Sequence, residues 1–153
     1  MEHSITEGSF ICGSPETVVR QIEKIASGSN FRKQREAGSG VERVFAELCV
    51  DPPDLVVASA NGTFLDQGER AAVSRHCPDA KVYAMKQALG ESVGASSLWQ
   101  TICAVQSLQT QRVPSCSFGG DGIQVPLRTS LVSTCGLNQQ VNGLRLRRAP
   151  AGG

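Results

Sequence analysis

The chain is long enough for one globular domain and is almost neutral. It has 153 residues, of which 40% are hydrophobic, so it can bury a core of its own. Its 15 Lys and Arg nearly balance its 14 Asp and Glu, which argues against a nucleic-acid or membrane-surface binder. No apolar run is long enough to span a bilayer, and residues 1–4 do not resemble the start of a signal peptide, so we expect a cytoplasmic protein.

The first third of the chain is predicted to contain two helices. Ser14 is a favourable N-cap and Pro15 suits the first helical position, so a helix is expected to begin there and to end near residue 28. Its apolar positions, at helical spacing, are Val18, Val19, Ile22 and Ile25. An exposed loop is predicted over residues 27–40, followed by a second helix from about Gly40 to Cys49. Two prolines end this second helix, whose expected buried stripe is Val41, Val44, Phe45 and Leu48.

Two buried parallel strands are predicted in the centre of the chain. Leu55 to Ala58 is a short apolar run, typical of a strand that is covered on both faces. A turn at residues 61–63 follows, then a helix from Asp66 to about Arg75, and then a second strand from Lys81 to Met85. Strands that alternate with helices favour an α/β layer with a mostly parallel sheet.

The last third is predicted to combine the longest helix with an antiparallel pair of strands. The helix runs from about Gly94 to Gln111 and is ended by Pro114. Its expected buried face consists of Ala95, Leu98, Ile102, Val105 and Leu108. Residues 115–128 are predicted to be a loop with a loose strand start. The strands are expected at residues 131–135 and 141–146, joined by a polar turn, and the tail at 149–153 is expected to be disordered.

The six cysteines do not form a recognisable metal-binding pattern. They lie at positions 12, 49, 77, 103, 116 and 135, with no Cys-x-x-Cys spacing. Zinc sites need ligands clustered at short spacing, so we predict neither a metal site nor a cofactor. Cys49 and Cys103 fall within apolar helical patterns and are predicted to be reduced core thiols. Cys77 beside His76 is a candidate nucleophile, although neighbouring residues on a helix point in different directions.

Several short motifs, taken in order over roughly residues 38–147, resemble the active-site loops of β-ketoacyl-acyl-carrier-protein synthases. In that family the first loop usually reads Ala-His-Gly-Thr, and the second reads Lys, a few residues, then Gly-His. The matching segments here are Ala60-Asn61-Gly62-Thr63, Asp66 and Glu69, Lys86, Gly90-Glu91 and Gly94-Ala95-Ser96.

The resemblance implies the C-terminal half of a thiolase-like fold. Such a half domain is α/β, with a mostly parallel mixed sheet flanked by helices and an antiparallel last strand. It divides the chain into an N-terminal helix and loop at residues 1–37, a thiolase-like domain at residues 38–148, and the tail.

The resemblance also implies a catalytic site at Asn61, Lys86 and Glu91, in which both working histidines of the family are replaced. Asn61 can donate an amide hydrogen bond to an oxyanion but cannot relay a proton. Glu91 accepts hydrogen bonds when ionised and would repel an enolate, so it could donate only if burial kept it protonated. Asp66 and Glu69 are predicted to be structural.

The residues of the implied catalytic site also have a structural interpretation. Asn61 before Gly62 is a favourable turn pair that tolerates left-handed geometry. Lys86 could form a surface ion pair with Glu91 or Glu69. An acidic residue near a helix start, such as Glu91, is favoured by the helix dipole alone.

The family's nucleophilic cysteine belongs to the half of the thiolase fold that has no counterpart in this chain. The resemblance therefore implies a β-ketoacyl synthase-like protein of fatty-acid or polyketide biosynthesis that is incompetent alone and acts as a partner subunit. Two alternatives stay open: a non-enzymatic interaction module derived from a ketosynthase, and a half-enzyme completed by a partner chain that supplies the cysteine. Half of a thiolase fold would leave an apolar sheet face and a helix uncovered. We therefore expect a homodimer or a heterodimer with a complete ketosynthase, with an acyl carrier protein as a further partner.

Overall fold

The computed structural model describes residues 22–27, 34–60, 62–92, 94–115, 120–135 and 140–149, apart from the side chain of Gln34. These residues form a five-stranded sheet with helices on both faces, and a separate two-stranded sheet. The elements in chain order are β1 (Ile22–Ser27), α1 (Gln34–Leu48), β2 (Leu55–Val57), α2 (Leu65–His76), β3 (Lys81–Tyr83), α3 (Lys86–Leu89), α4 (Ser96–Thr110), β4 (Arg112–Val113), β5 (Ile123–Gln124), β6 (Thr129–Cys135) and β7 (Val141–Arg147).

The large sheet is mixed, with the strand order β1-β7-β6-β2-β3. Strand β2 pairs in parallel with both β3 and β6, whereas β7 pairs antiparallel with β6 and with β1. The predicted α/β class and the antiparallel finish are therefore confirmed. None of the helices in the described residues is long and apolar enough to cross a membrane.

Helices cover both faces of the sheet's centre. Val56 and Leu131 pack in one cluster with residues of α1 and α2, while Leu55, Val57 and Val132 pack in a second cluster with residues of α4. These strand residues are fully buried. The expectation of an uncovered sheet face is therefore wrong for β2 and β6, and the apolar side chains that remain exposed lie elsewhere.

The predicted first helix is wrong over its last residues, which form strand β1. Ile22 pairs with Leu146 of β7, and Ile25 pairs with Leu144. Ile25 is 62% exposed, so it does not belong to a buried helical stripe. The backbone of β7 offers hydrogen-bond partners to this segment. The β-branched residues Ile22 and Ile25 suit a strand, so this pairing is favoured over the helix that their spacing predicted. The proposed start at Ser14 lies outside the described residues.

Helix α1 begins about six residues before the predicted position. The predicted loop is therefore wrong over residues 34–40, while residues 28–33 lie outside the described part of the chain. The predicted stripe from Val41 to Leu48 is buried as expected. A loop was predicted because glycine disfavours helices. In the structure, Gly38 instead lies within α1, where it allows α2 to pack closely. A Cβ at Gly68 of α2 would lie 3.3 Å from the Cα of Gly38 in α1, so the two helices approach closely at this point. Helix α1 runs across residue 37, where the first domain boundary was predicted. The division of the chain into domains stays a prediction.

The buried face of α4 differs from the predicted one. Leu98 is 61% exposed, whereas Gln100 is completely buried, together with Ala104, Val105, Ser107 and Leu108. Val105 and Leu108 are therefore buried as predicted, but small and polar residues occupy the rest of the buried face. The helix ends at Thr110, before Pro114, because Gln111 adopts a left-handed conformation and the chain turns into β4.

The remaining elements agree with the sequence in type and differ in extent. Strand β2, helix α2 and the β6–β7 hairpin match the predictions, and β3 ends two residues earlier than expected because Lys86 starts the short helix α3. The pairing of β4 with β5 was not predicted. The predicted hairpin turn falls largely on residues 136–139, and the predicted tail on residues 150–153, which lie outside the described residues.

Candidate functional site

The candidate site lies where β2 and β3 end. Because these strands are parallel, the residues that follow them meet at one edge of the sheet. Ser59 follows β2, and Lys86 follows β3 as the first residue of α3. Glu69 reaches the same place from α2, and Glu91 from the segment between α3 and α4.

Glu69 fixes the segment that follows β2. One of its carboxylate oxygens accepts a hydrogen bond from the backbone N–H of Ser59 at 2.8 Å, and the other accepts one from Ala60 at 3.0 Å. The residue is 3% exposed, and this burial raises its pKa, although the two backbone donors oppose the shift. Ala60 has a φ of 37°, an unfavourable value for a residue with a Cβ, so the bidentate contact holds a strained position.

Asp66 stabilises the next part of the same segment. Its side chain accepts a hydrogen bond from the backbone N–H of Gly62 at 3.0 Å. Gly62 has a φ of 79°, a conformation that glycine adopts at little cost. Asn61 lies outside the described residues, so both the catalytic and the turn interpretation of that residue stay predictions.

Lys86 and Glu91 form an ion pair with a 2.7 Å contact between Nζ and Oε2. The pair is not a surface pair, since the Lys86 side chain is only 4% exposed, while that of Glu91 is 26% exposed. Partial burial opposes ionisation of Glu91. Hydrogen bonds from Lys86 and Ser96 and the lysine charge outweigh this, so the pKa of Glu91 lies below its ordinary value. Glu91 is therefore a paired carboxylate at neutral pH rather than a protonated hydrogen-bond donor.

Ser59 connects this ion pair to the central strands. Its hydroxyl accepts hydrogen bonds from Lys86 Nζ at 3.3 Å and from the backbone N–H of Cys135 at 3.1 Å. The same hydroxyl donates to the carbonyl of Cys135 at 3.3 Å. Sequence reasoning missed Ser59, although a polar residue directly after a buried parallel strand is a signal that could have identified it.

Gln100 holds β2 and β6 together beneath the site. Its side-chain N–H₂ group donates to the carbonyls of Ala58 and Ser133, each at 2.9 Å. The residue is completely buried. Sequence reasoning missed this residue as well, because it considered only apolar positions of the long helix.

None of the four cysteines in the described residues presents a reactive thiol at the site. Cys135 is adjacent, but burial and the neighbouring Glu69 carboxylate raise its pKa to about 12, so it stays protonated at neutral pH. The candidate Cys77 lies in the core and contacts Cys49. His76 Nε2 is 2.8 Å from a carboxylate oxygen of Glu42, so this ring nitrogen pairs with Glu42.

An exposed apolar surface borders the site. Leu89 and Trp99, which we call the Trp99 patch, are 64% and 51% exposed. A pocket of about 200 Å³ lies beside them and is lined by Met85, Leu89, Gly90, Ser92, Ser96 and Trp99. Large exposed apolar side chains that gather beside a polar site are typical of a contact with another protein segment.

The charged side chains of the site hold the segments that follow β2 and α3, and they are engaged with other site residues. Within the described residues, Lys86, Glu69 and Glu91 each contact another site residue, and no group of three His, Cys, Asp or Glu side chains could hold a metal ion. The Lys86–Glu91 pair thus holds the segment between α3 and α4, which lines the pocket beside the Trp99 patch.

Comparisons with known proteins identify the fold. No protein-family model and no curated protein matches the sequence. Among solved structures, the chain is similar to the ishigamide ketosynthase/chain length factor, with 17% identity and a TM-score of 0.66 over 84% of this chain and 38% of that chain. It is also similar to the ketosynthase from module 1 of the bacillaene synthase from Bacillus amyloliquefaciens FZB42, with 16% identity and a TM-score of 0.65 over 86% of this chain and 30% of that chain.

A third similar structure is the AntDE:AntF complex, described as a type II polyketide synthase acyl carrier protein with its ketosynthase bound to the hexaketide. The identity is 13% and the TM-score is 0.66, over 84% of this chain and 38% of that chain. At such identities the similarity establishes the fold and not the activity. This chain thus has a ketosynthase-like, thiolase-type α/β fold, and it spans less than half the length of these solved structures.

Proposed function

We propose that this chain is a ketosynthase-like partner subunit of fatty-acid or polyketide biosynthesis that does not catalyse condensation alone. The observation that carries the proposal is the Lys86–Glu91 ion pair, which occupies the position that the sequence resemblance assigns to a catalytic lysine and histidine. The two opposite charges compensate each other, and the Lys86 side chain is buried.

The chemistry of condensation is incompatible with this pair acting by itself. A condensing enzyme needs a thiolate to carry the acyl group and hydrogen-bond donors for the developing enolate. Glu91 is ionised and would repel an enolate, and Lys86 already donates to Glu91 and Ser59. Cys135, with its pKa raised to about 12, cannot supply the thiolate at neutral pH.

A complete ketosynthase subunit is the partner that we propose for the Trp99 patch. The chain spans only 30–38% of the similar structures quoted above, so in those proteins the equivalent region belongs to a larger fold. One of those structures is itself a ketosynthase/chain length factor. An acyl carrier protein is the further partner of the assembly, by analogy with the complex named above.

The test measures the affinity of this chain for a complete ketosynthase. We expect Trp99→Asp to weaken binding at least about tenfold in titration calorimetry, because buried aromatic anchors dominate interface energies. Val50→Asp is the matched control, since Val50 is 81% exposed and lies away from the patch, so it should bind as wild type does. Equal affinities for wild type and Trp99→Asp would contradict the proposed interface.

A condensation assay on the same mixture distinguishes a supporting subunit from a half-enzyme. If the chain only supports its partner, Lys86→Met should leave condensation unchanged in a mixture that still forms the complex. A large loss of condensation in that intact complex would instead favour the half-enzyme, in which Lys86 contributes to the reaction.

A further inference from the structure

Two cysteines lie side by side where α1 and α2 end. Cys49 directly follows α1, and Cys77 is the C-cap of α2. Their sulfur atoms are 2.8 Å apart, although the residues are 28 positions apart in the chain. A disulfide requires a separation of about 2.05 Å, so the sulfurs need to approach by less than about 1 Å.

The two thiols differ in accessibility. Cys77 is completely buried, whereas Cys49 is partly exposed. A reagent from solution can therefore reach Cys49 first, and Cys77 is in place to react only with its neighbour.

The surroundings of Cys49 favour its thiolate. The guanidinium of Arg145, which also pairs with Glu23, donates to the backbone carbonyls of Leu48 at 2.9 Å and of Asp51 at 2.6 Å and so lies beside Cys49. A hydrogen bond from Cys77 and the charge of Arg145 lower the pKa of Cys49, while the same contact and burial raise the pKa of Cys77. Such asymmetry is typical of an attacking thiol paired with a resolving thiol.

We propose that Cys49 and Cys77 form a reversible disulfide by exchange with small disulfides such as glutathione disulfide. The Cys49 thiolate attacks one sulfur of glutathione disulfide, forms a mixed disulfide and releases one glutathione thiolate. Cys77 then attacks the Cys49 sulfur, the bond between Cys49 and glutathione breaks, and the proton of the Cys77 thiol passes to the leaving glutathione thiolate, which gives the second glutathione. The protein loses two thiols, and one glutathione disulfide is reduced to two glutathiones.

The bond would fasten α2 to α1 and so affect the candidate site. The bridged segment includes β2, Ser59 and all of α2, from which Glu69 reaches the segment after β2. Oxidation removes conformational freedom from the unfolded chain. For residues 28 apart we expect the midpoint of thermal unfolding to rise by roughly 10 °C, reversed by a dithiol reductant.

The test is a redox titration of the folded wild-type protein with glutathione buffers, quenched by alkylation and digested with trypsin. Cleavage after Arg43, Arg70, Arg75 and Lys81 separates the cysteines into residues 44–70 and residues 76–81. We expect these two peptides to become linked as the buffer becomes more oxidising. Alkylated, unlinked peptides throughout the titration would overturn the proposal, and this result does not depend on any variant folding.

Serine variants test the order of the two steps. Cys77→Ser should keep one glutathione on Cys49, because no resolving thiol remains, and Cys103→Ser should behave as wild type. An unmodified Cys49 in Cys77→Ser, or a glutathione that persists on Cys49 in wild type, would overturn the assigned order. The experiment uses the chain alone, so it is independent of the partner proposed above.

Discussion

Replacing Lys86 with Met removes the cation from the ion pair and leaves the Glu91 carboxylate without its charged partner. Removing one member of a fully buried pair costs about 3–5 kcal/mol. Here the lysine side chain is 4% exposed and the glutamate side chain 26% exposed, so water can partly solvate the remaining carboxylate. We therefore expect the free energy of unfolding to fall by about 2–3 kcal/mol. The lost contact to Ser59 Oγ, at 3.3 Å, is a minor part of this.

Urea unfolding followed by circular dichroism measures this effect against a matched control. Lys81→Met removes an exposed lysine from β3, and its effect should stay within about 0.5 kcal/mol. Glu91→Gln and the double variant Lys86→Met/Glu91→Gln complete a double-mutant cycle. The double variant should recover at least about 1 kcal/mol relative to the sum of the single changes, because it leaves no unpaired charge.

Two results would refute this reasoning. One is a Lys86→Met protein whose stability lies within about 0.5 kcal/mol of wild type, which would mean that the carboxylate is well solvated without its partner. The other is additivity of the two single changes, which would mean that the side chains do not interact in solution.

Three further predictions test other parts of the structure by urea unfolding. Gly143→Ala should lower the free energy of unfolding by about 1–3 kcal/mol, because the added Cβ would collide with Leu48 and Val44 of α1. Gly40→Ala is its control and should not destabilise the protein, since the nearest atom to its added Cβ is 3.8 Å away. Gln100→Leu should lower the free energy of unfolding by about 1–3 kcal/mol, because the carbonyls of Ala58 and Ser133 lose their donor. The control is Gln109→Leu, at an exposed position of the same helix, and equal stabilities of the two variants would contradict a stabilising role of Gln100. Because the pKa of Glu91 is lowered in the folded protein, its ionised form stabilises the fold above its ordinary pKa near 4.5, and this stabilisation is lost as the pH falls through the folded-state pKa. Glu91→Gln should therefore flatten the dependence of the free energy of unfolding on acid pH. An unchanged dependence would contradict the ionised pair.

Local patterns were sufficient to predict the elements whose burial follows from their own sequence. The stripe Val41, Val44, Phe45 and Leu48 has helical spacing and is buried, and Leu55 to Val57 is apolar throughout and forms a strand covered on both faces. The strand at Ile22–Ser27 could not be predicted this way, because its stability depends on pairing with a strand far along the chain.

The site was predictable only in part. The resemblance selected Lys86 and Glu91, and one of the structural alternatives named their pairing, but the burial of Lys86 depends on tertiary packing. Gln100 escaped notice because burial of a polar side chain is favourable only when the fold brings carbonyls to it. Leu98 was expected inside, yet the small residues of α4 pack on the sheet and turn Leu98 outward.

The most direct test of the proposed function is the mass in solution, by light scattering, of this chain mixed with a complete ketosynthase. The partner-subunit account predicts a stable complex with the summed mass of the two chains, and loss of that complex with Trp99→Asp but not with Val50→Asp. Two separate species at concentrations well above micromolar, with this chain a well-behaved monomer, would contradict it.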